Sequence, residues 1–244
     1  MKILVIGETC VDKFVYCNAK RLSPEAPVPV LNPLYTVNNP GMAGNTFENV
    51  KVLAPDATMA SITQKDTITK TRYVEEKSNH MFLRVDEGEN QITQFKWTPD
   101  IDVILGQADI VIVSDYNKGF LSNGDLKEIA RKSKLSILDS KRKLTDDTAK
   151  GFTFIKLNES EFENNLDLTT NNIIVTLGAK GALYNKELIP QINPQETIDV
   201  SGAGDTFTAA FILNYYKHKD VVQAITWANL MAGIVVTKRG VVTP

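Results

Sequence analysis

The chain has 244 residues, 43% of them hydrophobic and 23% charged, with 27 Lys and Arg against 29 Asp and Glu. That length can bury a sizeable core without disulfides or structural metal and suits one large α/β unit. A net charge of −2 leaves no electrostatic footprint for nucleic acid or an anionic membrane.

Lys2-Ile-Leu-Val-Ile-Gly7 is a brief, β-branched apolar run and predicts a buried strand. It is too short for a signal-peptide core, and no later apolar run is long enough to span a bilayer. Phe14–Val37 is rich in Pro and β-formers, and Thr69–Glu87 alternates around a turn at Ser78-Asn79. Both are expected to be antiparallel strands that leave the main sheet as a flap, over about 12–38 and 69–88. For the Pro-rich piece alone a surface loop accounts equally well. Between them, Pro40–Asn45 precedes a short helix containing Val50 and Leu53. Further apolar runs follow at Ile110–Val113, Leu135–Leu138, Phe152–Leu157 and Ile173–Leu177. Helical patterns lie among them, Asp125–Lys132 after a cap at Asn123 and Glu159–Leu166 after Asn158; Gly204–Tyr216 and Asp220–Thr237 close the chain. This rhythm predicts βαβ units, a mostly parallel sheet covered on both faces, and an α/β fold. No repeat or linker marks a second domain, so 1–244 reads as one unit. Cys10 and Cys17 are spaced unlike a zinc or redox pair, which suits a soluble protein of the reducing cytoplasm.

The most informative segment is Asp199-Val-Ser-Gly-Ala-Gly-Asp205. Gly202-Ala203-Gly204 sits where a loop becomes a helix N-terminus, and backbone N–H groups there form an anion site. Asp205 falls in the first helical turn, beside that site, where accepting a proton from an attacking hydroxyl would justify its charge. Asp is also common in first turns as a dipole partner; the second aspartate, Asp199, favours the functional account. Thr176-Leu-Gly178-Ala-Lys-Gly181 follows a strand like a phosphate-contacting turn but lacks the Walker spacing. Asn158 and Glu161 stand at a strand's C-terminal end, where open α/β sheets hold ligands, and could order Mg²⁺ through water. Taken alone, that pair is better read as an N-cap with an acidic first turn. Toward the N-terminus, Asp12, Gly41 and Asn45 suit a polyol. Lys70, Arg72, Arg84, Lys118, Lys141 and Arg142 suit, as a group, an acceptor that already carries a phosphate.

These motifs resemble those of the ribokinase-like (phosphofructokinase-B) carbohydrate kinases: the Asp199–Asp205 signature, the Asn158-x-x-Glu161 magnesium motif and the Thr176-x-Gly178-x-x-Gly181 turn. Leu22–Leu31, Pro40–Asn45, Thr67–Arg72, Leu83–Asp86, Ser114–Gly119 and Ala228–Val236 are further similar to heptose 7-phosphate kinases, which phosphorylate the anomeric hydroxyl of D-glycero-D-manno-heptose 7-phosphate. The resemblance implies a three-layer sandwich with a β-stranded lid that pairs two subunits, with ATP and Mg²⁺ as cofactors. It implies Asp205 as base and the amides of Gly202, Ala203 and Gly204 as anion hole. Asn158 and Glu161 would lie near Mg-ATP, Thr176, Gly178 and Gly181 at the nucleotide phosphates, and Asn229 and Gly233 beside adenine. Asp12, Gly41, Asn45 and Arg72 would face the sugar, with Lys141 a phosphate contact.

The chain departs from that pattern in places. Val50–Thr67 is short where the family has a helix and a strand, a paired glycine becomes Gly41-Met42, and Asp139-Ser-Lys141 replaces Asp-Pro-Lys. With the sequence ending at Pro244, no fused nucleotidyltransferase domain is expected. The alternatives are a kinase of the same fold for another sugar or a nucleoside, and a turnover-deficient sugar-phosphate binding protein. A Rossmann oxidoreductase is disfavoured, because Gly7-Glu-Thr-Cys-Val-Asp12 lacks the dinucleotide fingerprint.

Overall fold

A computed structural model describes residues 1–170 and 172–244. In chain order the first half contains β1 (Lys2–Gly7), β2 (Thr9–Asn18), β3 (Asn32–Met42), α1 (Ala43–Leu53), β4 (Thr58–Ile62), β5 (Thr69–Glu75) and β6 (Met81–Glu87). There follow α2 (Pro99–Gln107), β7 (Ile110–Asp115), α3 (Asn123–Lys132), β8 (Ser136–Ser140), α4 (Asp146–Ala149), β9 (Phe154–Asn158) and α5 (Glu159–Glu163). The last part is β10 (Ile173–Thr176), β11 (Gly181–Tyr184), β12 (Glu187–Pro190), α6 (Ala203–His218) and α7 (Val221–Val235).

The main sheet has eight strands in the order β12-β11-β10-β9-β8-β7-β1-β4. Every pair from β10 to β4 is parallel, and the β10–β11–β12 edge is antiparallel. The apolar runs alternate across its two faces, as strand geometry demands. Ile3, Val5, Ile110, Ile112, Ile137 and Phe154 face Val50 of α1 and Phe207, Phe211 and Ile225 of α6 and α7. Leu4, Ile6, Val111, Val113, Leu138 and Ile155 face Leu105, Leu126 and Ile129 of α2 and α3. Burial on both faces is why these strands are nearly continuous apolar runs. Because the strands run in one direction, Glu8, Tyr116, Asp139, Asn158 and Thr176 emerge along one edge of the sheet.

The second sheet has the order β3-β2-β5-β6. Its hairpin pairs β2–β3 and β5–β6 are antiparallel, but β2 and β5 are parallel, contrary to the all-antiparallel flap expected. A parallel pair needs a crossover, and α1 with β4 supplies it. Strand alternation puts Asp12, Lys70, Asp86, Arg72 and Arg84 on one face, and Val11, Val15, Tyr73, Leu83 and Val85 on the other.

Several local expectations shift. The N-cap of α3 is Ser122, one residue before Asn123, because Ser122 and Asp125 close a reciprocal capping box. Helix α5 is a single turn ending at Glu163, not Leu166. The segment between Val50 and Thr67 keeps a strand, β4, at the sheet edge directly after α1. Arg142 does not join the basic group of the flap. Its guanidinium grips the buried Asp115 in a bidentate pair (Nε–Oδ2 2.6 Å, Nη2–Oδ1 2.7 Å) and donates to the Leu121 carbonyl at 2.9 Å.

Arg142→Ala therefore leaves the Asp115 carboxylate, whose side chain is 0% exposed, without its counter-charge. A loss of about 3–5 kcal/mol is expected in urea unfolding. Arg142→Lys should recover only part of it, since a single ammonium cannot reproduce the fork.

Candidate active site

Helix α6 starts at a left-handed Gly202 (φ 81°), with no side-chain cap. Glycine is required on two counts, because a Cβ there would also run into Asn45 Nδ2. At Gly204 a Cβ would stand 3.0 Å from Lys156 Nζ, so the buried ammonium abuts the helix start. Of the three amides expected to form an anion hole, that of Ala203 donates to the Val200 carbonyl at 3.3 Å.

Asp205 follows at once, only 6% exposed. Its Oδ2 accepts from Asn45 Nδ2 at 2.8 Å, and its Oδ1 accepts from the Tyr116 hydroxyl at 3.2 Å and from Thr46 Oγ1 at 3.4 Å. Burial, followed by the nearby Asp139 charge, pushes its pKa up to about 6, although Asn45, Lys156 and Tyr116 pull the other way. Asp139 itself is salt-bridged to Lys156 at 3.0 Å and accepts from Thr208 Oγ1 at 3.0 Å. Burial would depress the Lys156 ammonium, but the Asp139 and Glu161 carboxylates outweigh it and hold its pKa above the ordinary value.

Two cavities meet at this carboxylate. One, of about 430 Å³, is lined by Asn158, Thr176, Gly178, Gly181, Asn229 and Gly233, together with Gly202, Ala203 and Gly204. The other, of about 470 Å³, is lined by Cys10, Asp12, Met42, Lys70, Arg72, Arg84 and Lys118. Asp205, Gly202, Tyr116 and Lys141 border both. The structure thus gathers all the residues expected at a nucleotide except Glu161 on one side of Asp205, and Asp12, Arg72 and Lys141 of those expected at an acceptor on the other.

Some side chains are committed elsewhere. Asn45 is buried and spends its amide on Asp205, while Gly41 faces Asp12, whose carboxylate a Cβ would strike. Asp12 pairs with Arg72 across the flap. Asn229 donates to the Ile189 carbonyl at 3.1 Å, and Gln191 donates to the Asn229 carbonyl and covers Gly233. Asn158 and Glu161 form the alternative weighed from sequence, a reciprocal capping box, and Glu161 also receives Lys141 Nζ at 2.7 Å. Glu161 does not line the first cavity but an adjoining cleft that it shares with Asn158 and Lys141. Among the described residues no group of three or more His, Cys, Asp and Glu is arranged for a metal ion. Asp199 is structural: its carboxylate accepts from the backbone amides of Ser201 (2.9 Å) and Gly240 (3.0 Å).

Residues 56–244 match the family described as pfkB family carbohydrate kinase. The chain belongs to that family. It is similar to the bifunctional protein HldE of Nitratiruptor sp., 29% identical over 294 aligned positions and covering 99% of this chain and 63% of that protein. It is also similar to the bifunctional protein HldE of Gluconacetobacter diazotrophicus, 30% identical over 99% of this chain and 61% of that protein. The chain therefore spans about three-fifths of the length of the curated relatives it matches. Its fold is that of the ribokinase of Thermotoga maritima (TM-score 0.74, 17% identity, covering 98% of this chain and 94% of that one).

Three site residues of this pfkB kinase had no role assigned from sequence: Lys156, Asp139 and Tyr116. The first two carried a signal, since a charged side chain within an otherwise apolar buried strand (Phe154–Asn158, Ser136–Ser140) must be paired or functional. Tyr116 lies in the Ser114–Gly119 segment that carries the resemblance, but its contact with Asp205 depends on the turn after β7.

The raised pKa of Asp205 makes its ionised form a liability to the fold. Between the unfolded value near 3.8 and the folded value of about 6 the native state holds the extra proton. Stability is therefore lost as pH rises through that window. Asp205→Asn should be more stable than the parent at pH 8, by on the order of 1–3 kcal/mol, with the gain gone at pH 3.5. Thermal unfolding across pH reads this directly.

Proposed function

We propose that the chain is an ATP-dependent sugar kinase acting on the anomeric hydroxyl of D-glycero-D-manno-heptose 7-phosphate, giving the 1,7-bisphosphate. The observation that carries this reading is the placement of Asp205 as a buried carboxylate at the junction of two cavities. One is framed by a glycine-rich helix start and the other by a basic flap.

Mg-ATP occupies the first cavity, with its phosphates along Thr176, Gly178 and Gly181 and at the start of α6, and its base toward Asn229 and Gly233. Asp205 takes the proton of the acceptor hydroxyl, whose oxygen attacks the γ-phosphorus in line as the bond to the ADP oxygen breaks. The amides of Gly202 and Gly204 and the Lys156 ammonium hold the charge that develops on the transferring group. The donor set at Asn158 and Glu161, one amide oxygen and one carboxylate, fits Mg²⁺ held through water, because a nucleotide-bound Mg²⁺ takes most of its ligands from phosphate and solvent. Bound there, Mg²⁺ would offset the phosphate charge.

In the second cavity the paired Asp12 and Arg72 meet sugar hydroxyls. Lys70, Arg84, Lys118 and Lys141 favour an acceptor that already bears a phosphate. Their charge is partly matched, as Lys70 and Lys118 share Glu89 and Arg84 pairs with Asp86. Residues 1–244 form one kinase unit with its lid over about 12–38 and 69–88, active in the cytoplasm. No described helix is long and apolar enough to cross a membrane.

ADP release from Mg-ATP across sugars, nucleosides and sugar phosphates tests the reading. Turnover is expected with heptose 7-phosphate, and Asp205→Asn should lower it about 10²–10⁴-fold. Its kcat/KM should rise with pH through a limb near 6, where Asp205 ionises. Preference for an unphosphorylated sugar would discard the heptose assignment. ATP binding without turnover on any acceptor would sink the kinase reading.

The outer lid face exposes Val11, Leu83 and Val85 beside Val15 and Tyr73, a surface suited to the matching lid of a second copy. A dimer is expected in light scattering, and Leu83→Asp should convert it to monomer. A monomeric parent protein would refute the lid-paired assembly.

A further inference from the structure

The turn after β7 is built around a carboxylate that takes no part in the chemistry above. Glu8, 0% exposed, leaves the end of β1 and accepts from three backbone amides of that turn: Tyr116 at 2.9 Å, Lys118 at 3.0 Å and Phe120 at 3.2 Å. Three N–H donors to one carboxylate clamp the turn to the sheet edge. Clamped so, Tyr116 points its hydroxyl at Asp205 Oδ1 and lays its ring along the wall that both cavities share. The Lys141 ammonium stands 5.0 Å over that ring, within the range of a cation–π contact.

We infer that Tyr116 is a positioning residue for phosphoryl transfer, its hydroxyl fixing the Asp205 carboxylate toward the acceptor while its ring separates the acceptor from the nucleotide cavity. The carboxylate has a donor on each oxygen, Asn45 on Oδ2 and Tyr116 on Oδ1, so its plane is held. Removing the Tyr116 hydroxyl leaves Oδ1 only the longer Thr46 contact at 3.4 Å, so the carboxylate is held less firmly about the Asn45 contact, and misorientation of a base by a few tenths of an ångström is costly in rate. Burial and the Asp205 and Asp139 charges push the phenol pKa well above 10, so the hydroxyl stays a donor throughout the working range. The other charged and titratable groups around Asp205 among the described residues are Asp139 on β8, Lys156 on β9, Lys141 after β8, and Cys10, Asp12, Lys70, Arg72, Arg84 and Lys118 around the second cavity. None but Tyr116 gives Asp205 Oδ1 a hydrogen bond, the Thr46 hydroxyl at 3.4 Å being its one uncharged supplement.

This inference rests on the kinase reading, and the test separates the two. Wild type and Tyr116→Phe are compared for kcat, for the KM of ATP, and for the acid limb of kcat/KM against pH. Asp205 is titrated in both by carboxyl-selective NMR, which needs no turnover. Losing a donor to the ionised form should move the limb and the NMR titration of Asp205 to higher pH together. It should lower kcat about tenfold, as one hydrogen bond to a charged group is worth, with the KM of ATP within about twofold. Tyr116→Leu, which removes the ring as well, should raise ATP hydrolysis without acceptor relative to Tyr116→Phe, because water gains access to the γ-phosphate. An Asp205 titration unchanged in Tyr116→Phe, or a kcat and acid limb matching wild type, overturns the inference. A wild type inactive on every acceptor overturns the kinase reading instead, and the NMR titration still decides the Tyr116–Asp205 contact.

Discussion

The interaction on which the site depends is the burial of one carboxylate. Asp205 sits at the start of α6, 6% exposed, with Asp139 close enough to raise its pKa further. A charge in that position survives only if neighbours supply hydrogen bonds and an opposite charge. They come from three places: Asn45 and Thr46 on α1, Tyr116 after β7, and Lys156 on β9 through the shared field of Asp139. The glycines at 202 and 204 follow from the same demand, since Asn45 Nδ2 and Lys156 Nζ fill the space a side chain would need. The helix start that the sequence suggested for anion binding is thus also a backbone without side chains where those partners approach.

The flap repeats this logic at lower density. Each basic side chain that borders the second cavity has an acidic partner: Arg72 with Asp12, Arg84 with Asp86, and Lys70 and Lys118 with Glu89. Arg84 with Asp86 is the most exposed of these pairs and adds little stability, whereas Asp12 with Arg72 and Lys70 with Glu89 are largely buried and hold their long side chains in place. Glu89 also ties a flap strand to the turn that Glu8 clamps, so flap and sheet edge are joined through Lys70 and Lys118.

Periodicity made the parallel sheet legible, because strands buried on both faces must read as apolar runs. The start of α6 was equally legible, since glycines beside an aspartate admit few explanations. Pairing partners were not. Nothing local to Asp199 shows that its carboxylate serves the amides of Ser201 and Gly240, or to Arg142 that it is spent on Asp115. Asp199 had lent weight to a functional account of Asp205 and Arg142 had been counted in a basic group, and in each case the partner is remote in sequence or set by a turn. Asn45 shows the same. Expected on the sugar side, it donates to Asp205, 160 residues away, a partner that nothing local to it shows. The parallel β2–β5 pairing was hidden for the same reason, as two separately plausible hairpins say nothing of how they join.

The flap and Asp205 are connected through the junction of β3 and α1. Strand β3 runs straight into α1 with no loop between Met42 and Ala43. Met42 takes a positive φ of 57°, a conformation that disfavours any side chain, and it stands where the resembling kinases have the second of two glycines. Its side chain is nonetheless buried, packed with Cys10 and Ile68 beneath the second cavity. Packing therefore holds the chain in a backbone conformation that glycine would adopt freely, and the junction is stiffer than a glycine pair would make it. One turn beyond it, Asn45 and Thr46 hold Asp205. A displacement of β3 therefore has no intervening loop in which to dissipate before it reaches the donors that hold Asp205.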